Sequence, residues 1–310
     1  SGFIGSALCK MLCENGYAVL GFDLQCSDIS CYKTIIGDVN DYKLLKHTIL
    51  NHSPDYIIHL AAKCDLNGRT INYYKTNFVG VKNLIEICNI IPRIKRIIIT
   101  SSQLVCRVGY IPKRFDEYCP NTLYGESKVQ TEEIIRNFKG CKKEWVILRP
   151  TTVWGPGMSE HHQSFLKCLE KGTYYHPKNK SLLKTYGFID NVIYQYNIFL
   201  FCDISLINKK TFYIGDYLPL NIIEYANNLS KYLKIKPPKS LHIFIFRIVA
   251  KIGDCMNFLG IKLPLTTFRL NNLLTEYVFD LSDTKEICGE LPFDFDNACK
   301  LTVDWYINNK

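Results

Sequence analysis

Asp55-Tyr-Ile-Ile-His-Leu-Ala-Ala62 and Arg96-Ile-Ile-Ile-Thr-Ser101, with a helical stretch at about 72–91 between them, decide the fold. Each is a short, unbroken apolar run, as found in strands covered on both faces, and a strand, helix, strand unit of that length is a parallel crossover. Working outward, the rhythm repeats. Ala7 to Asn15 reads as a helix stopped at Asn15-Gly16, and Tyr17-Ala-Val-Leu-Gly-Phe-Asp23 reads as a strand ending in an acid. Asp41 caps a helix to about Asn51, which Pro54 breaks, while Tyr124 to Phe138 is a further helix and Glu144 to Arg149 a strand stopped by Pro150. Such alternation predicts an α/β fold built on a doubly wound parallel sheet.

Beyond Pro150 the elements are mixed: helices at about 160–171, 190–202, 221–232 and 241–259, a closing helix from about Asp296, and strands near 182–188 and 211–214. The expectation is a first domain over 1–150 and a smaller α/β lobe over 151–310 that binds substrate, with some elements returning to the first domain.

Composition narrows the class. Of 310 residues, 47% are hydrophobic and 22% charged, which excludes a disordered chain. The 38 Lys and Arg against 29 Asp and Glu leave a net charge of +9, a mild preference for anions, but no basic arm that would coat nucleic acid. The 14 cysteines run from Cys9 to Cys299 without a C-x-x-C pair or zinc spacing, so they read as reduced thiols of a cytoplasmic protein and no metal is expected. No secretory signal opens the chain, and the most apolar stretch, Leu241 to Ile261, is broken by Arg247, Lys251 and Asp254. That stretch predicts no membrane span; packing on the protein's own core is preferred to lying on a membrane surface.

Gly2 and Gly5 are spaced G-x-x-G at the start of a helix, where glycines let a pyrophosphate approach the free N–H groups and positive dipole end. Asp23, at the end of the following strand, is placed to accept hydrogen bonds from an adenosine ribose and would repel a 2′-phosphate, which favours NAD over NADP. Tyr124-Gly-Glu-Ser-Lys128 puts a phenol and an ammonium on one helix face, where the ammonium can lower the phenol pKa and make it a base. A surface pair is the plain alternative, and Thr100-Ser101-Ser102 at the carboxyl end of a parallel strand decides against it, because ligands bind there in open α/β sheets.

Together these residues resemble the extended branch of the short-chain dehydrogenase/reductase superfamily, the NAD-dependent epimerase/dehydratase group. The resemblance implies a Rossmann-like fold, with Gly2-Phe3-Ile4-Gly5 ending the cofactor turn and Asp38 and Val39 of Gly37-Asp38-Val39 at the adenine. It also places Leu60, Ala61 and Ala62 beneath the cofactor, Asn77 and Gly80 in its N-x-x-G helix, and Pro150 and Val153 in its R-P-x-x-V segment beside the cofactor. It implies Ser102, Tyr124 and Lys128 as the catalytic set, Thr100 beside the cofactor, and Ser102, Gln103, Tyr124 and Arg269 at the substrate, Arg269 on a diphosphate. His161 and His162 fall in a loop expected to border the cleft, although adjacent histidines are more often incidental. Gln103 and Leu104 stand where 4,6-dehydratases carry Asp-Glu, which disfavours that chemistry. The first strand and first glycine of the family lie outside Ser1 to Lys310, so an N-terminally truncated chain is expected.

The implied function is NAD-dependent epimerisation or oxidoreduction of a nucleotide-diphosphate sugar. A hydroxysteroid or lipid-alcohol dehydrogenase and a non-catalytic NAD sensor are the alternatives, and the catalytic trio argues against the sensor. A homodimer through the helices at 72–91 and 124–138 is also expected, if Phe78, Val81, Ile85, Val129 and Ile134 face outward rather than onto their own sheet.

Overall fold

The elements follow the apolar runs and the capping side chains. In chain order the computed structural model contains α1 (Phe3–Glu14), β1 (Leu20–Asp23), β2 (Lys33–Ile36), α2 (Tyr42–His52), β3 (Tyr56–His59), α3 (Lys75–Ile90), β4 (Arg96–Thr100), α4 (Leu123–Asn137) and β5 (Glu144–Pro150). There follow β6 (Thr152–Trp154), α5 (Glu160–Glu170), β7 (Tyr175–Pro177), β8 (Leu183–Lys184), β9 (Tyr186–Phe188), α6 (Ile189–Phe201), α7 (Ile204–Ile207) and β10 (Thr211–Ile214). The chain closes with β11 (Leu220–Asn221), α8 (Ile222–Tyr232), β12 (Lys239–Leu241), α9 (Ile243–Phe258), α10 (Thr267–Leu274), α11 (Ser282–Cys288) and α12 (Phe295–Asn308). The structure describes all residues except 28, 139–141, 259, 262 and 264; the side chains of His161 and His162, and with them the expectation that they border a cleft, also lie outside the described residues.

The chain divides into two compact units. The first comprises Ser1–Val153, Gly187–Tyr217 and Asp280–Pro292, and the second Trp154–Tyr186, Leu218–Phe279 and Phe293–Lys310. In the first, β10, β5, β4 and β3 form a parallel sheet in that spatial order, while β1 and β2 form a second parallel ladder. All five residues of β4 are buried, as a strand covered on both faces requires. Ile97, Ile99 and Ile147 of the sheet pack with Val81, Ile85 and Leu84 of α3. Val81 and Ile85 expose no surface, so these two face their own sheet and offer nothing to a partner helix. Helical periodicity identifies an apolar face but not which of two flanking layers it meets.

Helix ends are fixed by short-range chemistry. Asp41 accepts from Leu44 N at 3.0 Å to cap α2, and Thr122 Oγ1 accepts from Gly125 N at 3.0 Å to cap α4. A Cβ at Gly125 would stand 2.3 Å from the Leu104 carbonyl oxygen, so only glycine lets α4 start so close to the turn after β4. At the other end of the sheet the buried Arg96 guanidinium donates to the carbonyls of Phe199, Leu200 and Cys202, each at 2.9 Å, which satisfies the last turn of α6.

The deepest polar contact joins β5 to α4. Arg149 donates to both carboxylate oxygens of Glu132, at 2.7 and 2.8 Å, and neither side chain exposes any surface. Ser101 at 2.6 Å and Tyr118 at 3.0 Å also donate to that carboxylate, while Arg149 reaches Tyr213 and the Phe115 carbonyl. Charges buried this completely are tolerable only with every lone pair and proton engaged.

The second unit holds α8 against α12 and an aromatic cluster in which Tyr225 stacks on Phe165 at 5.6 Å and meets Trp154 at 4.8 Å. Lys184 donates to the carbonyls of Asn272 and Thr275 at the end of α10. Its apolar stretch departs from expectation. In α9 only Phe246, Ala250 and Gly253 are buried, and the other large side chains of that helix remain exposed or half-buried.

Truncating Glu132 to alanine would leave Arg149 charged, buried and unpaired. Glu132→Ala should lose about 3–5 kcal/mol of stability, measured by urea unfolding; a loss within the range of ordinary surface substitutions would contradict this account of the pair.

Candidate functional site

In a parallel sheet all strands end on one side, and the groups singled out from the sequence gather at that side of the first unit. β4 delivers Thr100, Ser101 and Ser102, β3 delivers His59 and the run Leu60 to Ala62, and α4 carries Tyr124 and Lys128 on its first two turns. Lys128 Nζ donates to the Thr100 carbonyl at 2.9 Å. The Ser102 hydroxyl lies close enough to the Tyr124 phenol to favour its anion, and accepts from Leu104 N at 3.1 Å. Thr100 Oγ1 pairs with Tyr196 at 2.8 Å, and Tyr74 packs its ring 6.1 Å from that of Tyr124. The expected trio is therefore one constellation.

Its electrostatics differ from expectation in one respect. Burial raises the Tyr124 phenol far above its ordinary value, the nearby Cys64 thiol adds to the rise, and the neighbouring Ser102 hydroxyl opposes it. The Lys128 ammonium is held on the Thr100 carbonyl. Lys128 itself is pushed down by burial, against the pull of Cys64 and Glu132. His59 is held down to about 3 by burial and by the neighbouring Lys128 charge, so its imidazole is neutral, and its Nε2 is buried without a hydrogen-bond partner.

The groups expected to meet a dinucleotide lie in the same unit. Gly2 stands at the N-cap of α1 with no side-chain cap over the N–H groups of Phe3, Ile4 and Gly5. A Cβ on Gly2 would meet no protein atom within 4 Å, and Gly5 lies against Leu60. Asp23 closes β1, its carboxylate accepting from the Ser1 amine at 2.9 Å and Gln25 N at 3.2 Å, which brings the acid beside the start of α1. Asp38 Oδ1 accepts from the backbone and side chain of Asn40, both at 2.9 Å, and Val39 is buried under Gly80. A helix N-terminus without a side-chain cap and with an acid beside it fits a dinucleotide's pyrophosphate and ribose.

Asn77 and Gln103 have partners within the protein. Asn77 spends its amide on the protein: Oδ1 accepts from Lys63 N at 2.7 Å, and Nδ2 donates to the Lys63 carbonyl and to Ser127 Oγ. It clamps the segment after β3 onto α4. Gln103 Nε2 donates to Thr152 Oγ1 at 3.0 Å, Pro150 ends β5 within the sheet, paired with Ile214, and Val153 lies on β6. Arg269 lies exposed on α10 in the second unit.

Three groups went unassigned in the sequence. Glu132 stands one turn beyond Lys128, a spacing that was readable, but its partner Arg149 is distant in sequence. His59 was visible only as part of a strand. Asp216 follows β10 and accepts from Phe188 N at 3.0 Å and Asn191 Nδ2 at 2.8 Å; burial nevertheless raises its carboxyl to about 6.

His59 and Asp216 oppose each other in acid. Since His59 resists protonation when folded, stability is lost as pH falls from about 6.5 towards 3; Asp216, which takes its proton early, favours the folded state as pH falls from about 6 towards 3.8. Between pH of about 6.5 and 4, His59→Gln should lose less stability than the wild type and Asp216→Asn more, measured by urea unfolding at each pH. Identical slopes in all three proteins would refute the assignment.

Comparison with known proteins adds the following. The model of the NAD dependent epimerase/dehydratase family matches residues 1–179, more than half of the chain. The chain is 26% identical over 322 residues to the decarboxylating sterol-4-alpha-carboxylate 3-dehydrogenase of Mus musculus, covering 98% of this chain and 88% of that one. Its fold is similar to that of UDP-glucose 4-epimerase from Thermotoga maritima, solved with UDP-glucose, at TM-score 0.76 and 20% identity over 99% of this chain and 96% of that one. UDP-glucuronic acid 4-epimerase from Bacillus cereus, solved with UDP-glucuronic acid and NAD, is similar at TM-score 0.75 and 20% identity over 100% and 97% of the two chains.

Proposed function

The chain belongs to the NAD-dependent epimerase/dehydratase family, and from that premise we propose that it is an NAD-dependent epimerase or oxidoreductase of a nucleotide-diphosphate sugar. One observation carries the proposal: Tyr124 beside Ser102, with Lys128 fixed on the Thr100 carbonyl, at the carboxyl end of a parallel sheet. Those three groups suffice to move a hydroxyl proton, and Gln103 and Leu104 supply neither acid nor base for eliminating water.

In this reading Tyr124 accepts the proton of the substrate hydroxyl while Ser102 holds that hydroxyl in line. The Lys128 ammonium, positioned by Thr100 and by Glu132 one turn further along α4, stabilises the tyrosinate as it forms. Because burial holds the phenol neutral in the protein alone, proton transfer depends on a second positive charge beside it. When bound, NAD supplies that charge and a reversible hydride acceptor, so that either an epimer or a keto product can result. The α1 N-terminus with Gly2, Phe3, Ile4 and Gly5 would hold the pyrophosphate, and Asp23 the adenosine ribose; Asp38, Val39, Leu60, Ala61, Ala62, Thr100, Pro150 and Val153 would line the rest of the site. Arg269 belongs to the reading as the cation for the substrate diphosphate. A cytoplasmic location agrees with the free thiols, and a homodimer would use the partly exposed Phe78 and Val129 of α3 and α4.

A second reading, oxidation of a sterol or other lipid alcohol, is favoured by the mouse sterol dehydrogenase, whose likeness runs through nearly the whole chain. One experiment separates the two. Purified protein with NAD is offered UDP-, GDP- and dTDP-sugars, 3-hydroxysteroids and 3-hydroxyalkanoates, with NADH absorbance and product NMR as readouts. Turnover of a nucleotide sugar, lowered at least about 100-fold in Tyr124→Phe, is the expected result. Turnover confined to the lipid alcohols would replace the first reading with the second, and turnover unaffected by Tyr124→Phe would overturn both.

A further inference from the structure

α9 carries an apolar face that its own unit does not use. The seam it buries is narrow: Phe246, Ala250 and Gly253 pack against α10 and the segment before it, so closely that a Cβ on Gly253 would stand 1.9 Å from the Leu265 carbonyl oxygen. Away from that seam Phe244, Ile245, Ile248, Val249 and Ile252 are between 42% and 63% exposed, and Phe258 at the helix end is 92% exposed. At 3.6 residues per turn the first five sweep a continuous arc of about 140°. Scattered exposed apolar residues are ordinary, but a contiguous helix face of them marks a partner surface.

The charges around the arc identify the partner. Arg247 and Lys251, both exposed, follow one another along one border, and the approach to the helix carries exposed Lys234, Lys236 and Lys239. The one acid in the sequence between Lys234 and Phe258 is Asp254, whose carboxylate is engaged by Thr267 N at 3.1 Å. A second copy of this chain seated on the same face would bring two such basic borders together. α9 spans about 24 Å at 1.5 Å per residue, and no helix among the described residues is long and apolar enough to cross a membrane.

We propose that α9 is an interfacial helix that docks the second unit onto an anionic lipid bilayer, lying in the plane of the surface. Phe244, Ile248 and Ile252 enter the acyl boundary, and Arg247 and Lys251 face the lipid phosphates. Apolar insertion and basic attraction of this kind act together, and each lysine or arginine near an anionic surface strengthens binding severalfold. The inference stands apart from the substrate, since it concerns where the protein sits rather than what it turns over.

Flotation of the full chain with phosphatidylcholine vesicles, with and without phosphatidylglycerol, tests it. The wild type should float with the anionic vesicles, less so at high salt. Ile248→Glu with Ile252→Glu, and separately Arg247→Glu with Lys251→Glu, should each weaken binding at least about tenfold while keeping the wild-type circular dichroism. The charge pair should in addition lose the preference for phosphatidylglycerol. Because lipid and salt dependence are read on the wild type itself, a misfolded variant would not rescue the proposal. It is overturned if the wild type floats with neither vesicle, or if flotation survives both variant pairs. A soluble dimer of the wild type that Ile248→Glu with Ile252→Glu dissociates would also overturn it, assigning the face to a second copy.

Discussion

The Arg149–Glu132 pair is the constraint on which the candidate site depends. Two charges with no exposed surface must keep their geometry or destabilise the protein, and the Glu132 carboxylate takes its partners from three places at once: Arg149 on β5, Ser101 at the end of β4, and Tyr118 in the segment before α4. Those bonds fix the roll of α4 against the strand ends. Lys128 lies one helical turn before Glu132, so fixing the carboxylate also fixes the ammonium over the Thr100 carbonyl, and Tyr124 one turn earlier is carried to Ser102. Asn77 works from the other side, tying the segment after β3 to Ser127 of the same helix.

The surroundings then decide which groups hold charge. His59 lies beside Lys128 and is kept neutral, so a second cation does not raise the cost of burying the first. Tyr124 is protonated in the protein alone, in an environment that adds little to favour the anion. In the proposed reading, a phenol held neutral in this way gives up its proton only once a positive charge arrives next to it, so proton removal is coupled to cofactor binding.

Much of this was legible in the residues. The two isoleucine-rich runs become β3 and β4 in a parallel pair, Asp41 caps α2 as its position implied, and Tyr124, Lys128 and Ser102 meet. What failed to show in the sequence shares one physical character: it depends on distant partners. The Lys128 ammonium was expected to act on the phenol, and only the structure shows that a backbone carbonyl holds it. The Asn77 amide also holds Lys63, 14 residues earlier in the chain, a contact no local spacing announces. The apolar run that became α9 was expected to bury itself, but a periodic stripe states how much apolar surface a helix has, not how much its neighbours cover. Val81 and Ile85 illustrate the converse, apolar positions whose outward face proved to be the core.

The central claim is that the uncapped N-terminus of α1 and the acid of Asp23 hold NAD beside Tyr124. Calorimetric titration of NAD and NADP into the same protein, and into Asp23→Ala, tests it most directly. The account predicts saturable NAD binding, at least about tenfold weaker NADP binding from repulsion of the 2′-phosphate by Asp23, and a loss of that preference in Asp23→Ala. Equal binding of both dinucleotides by the wild type, or binding of neither, would contradict it.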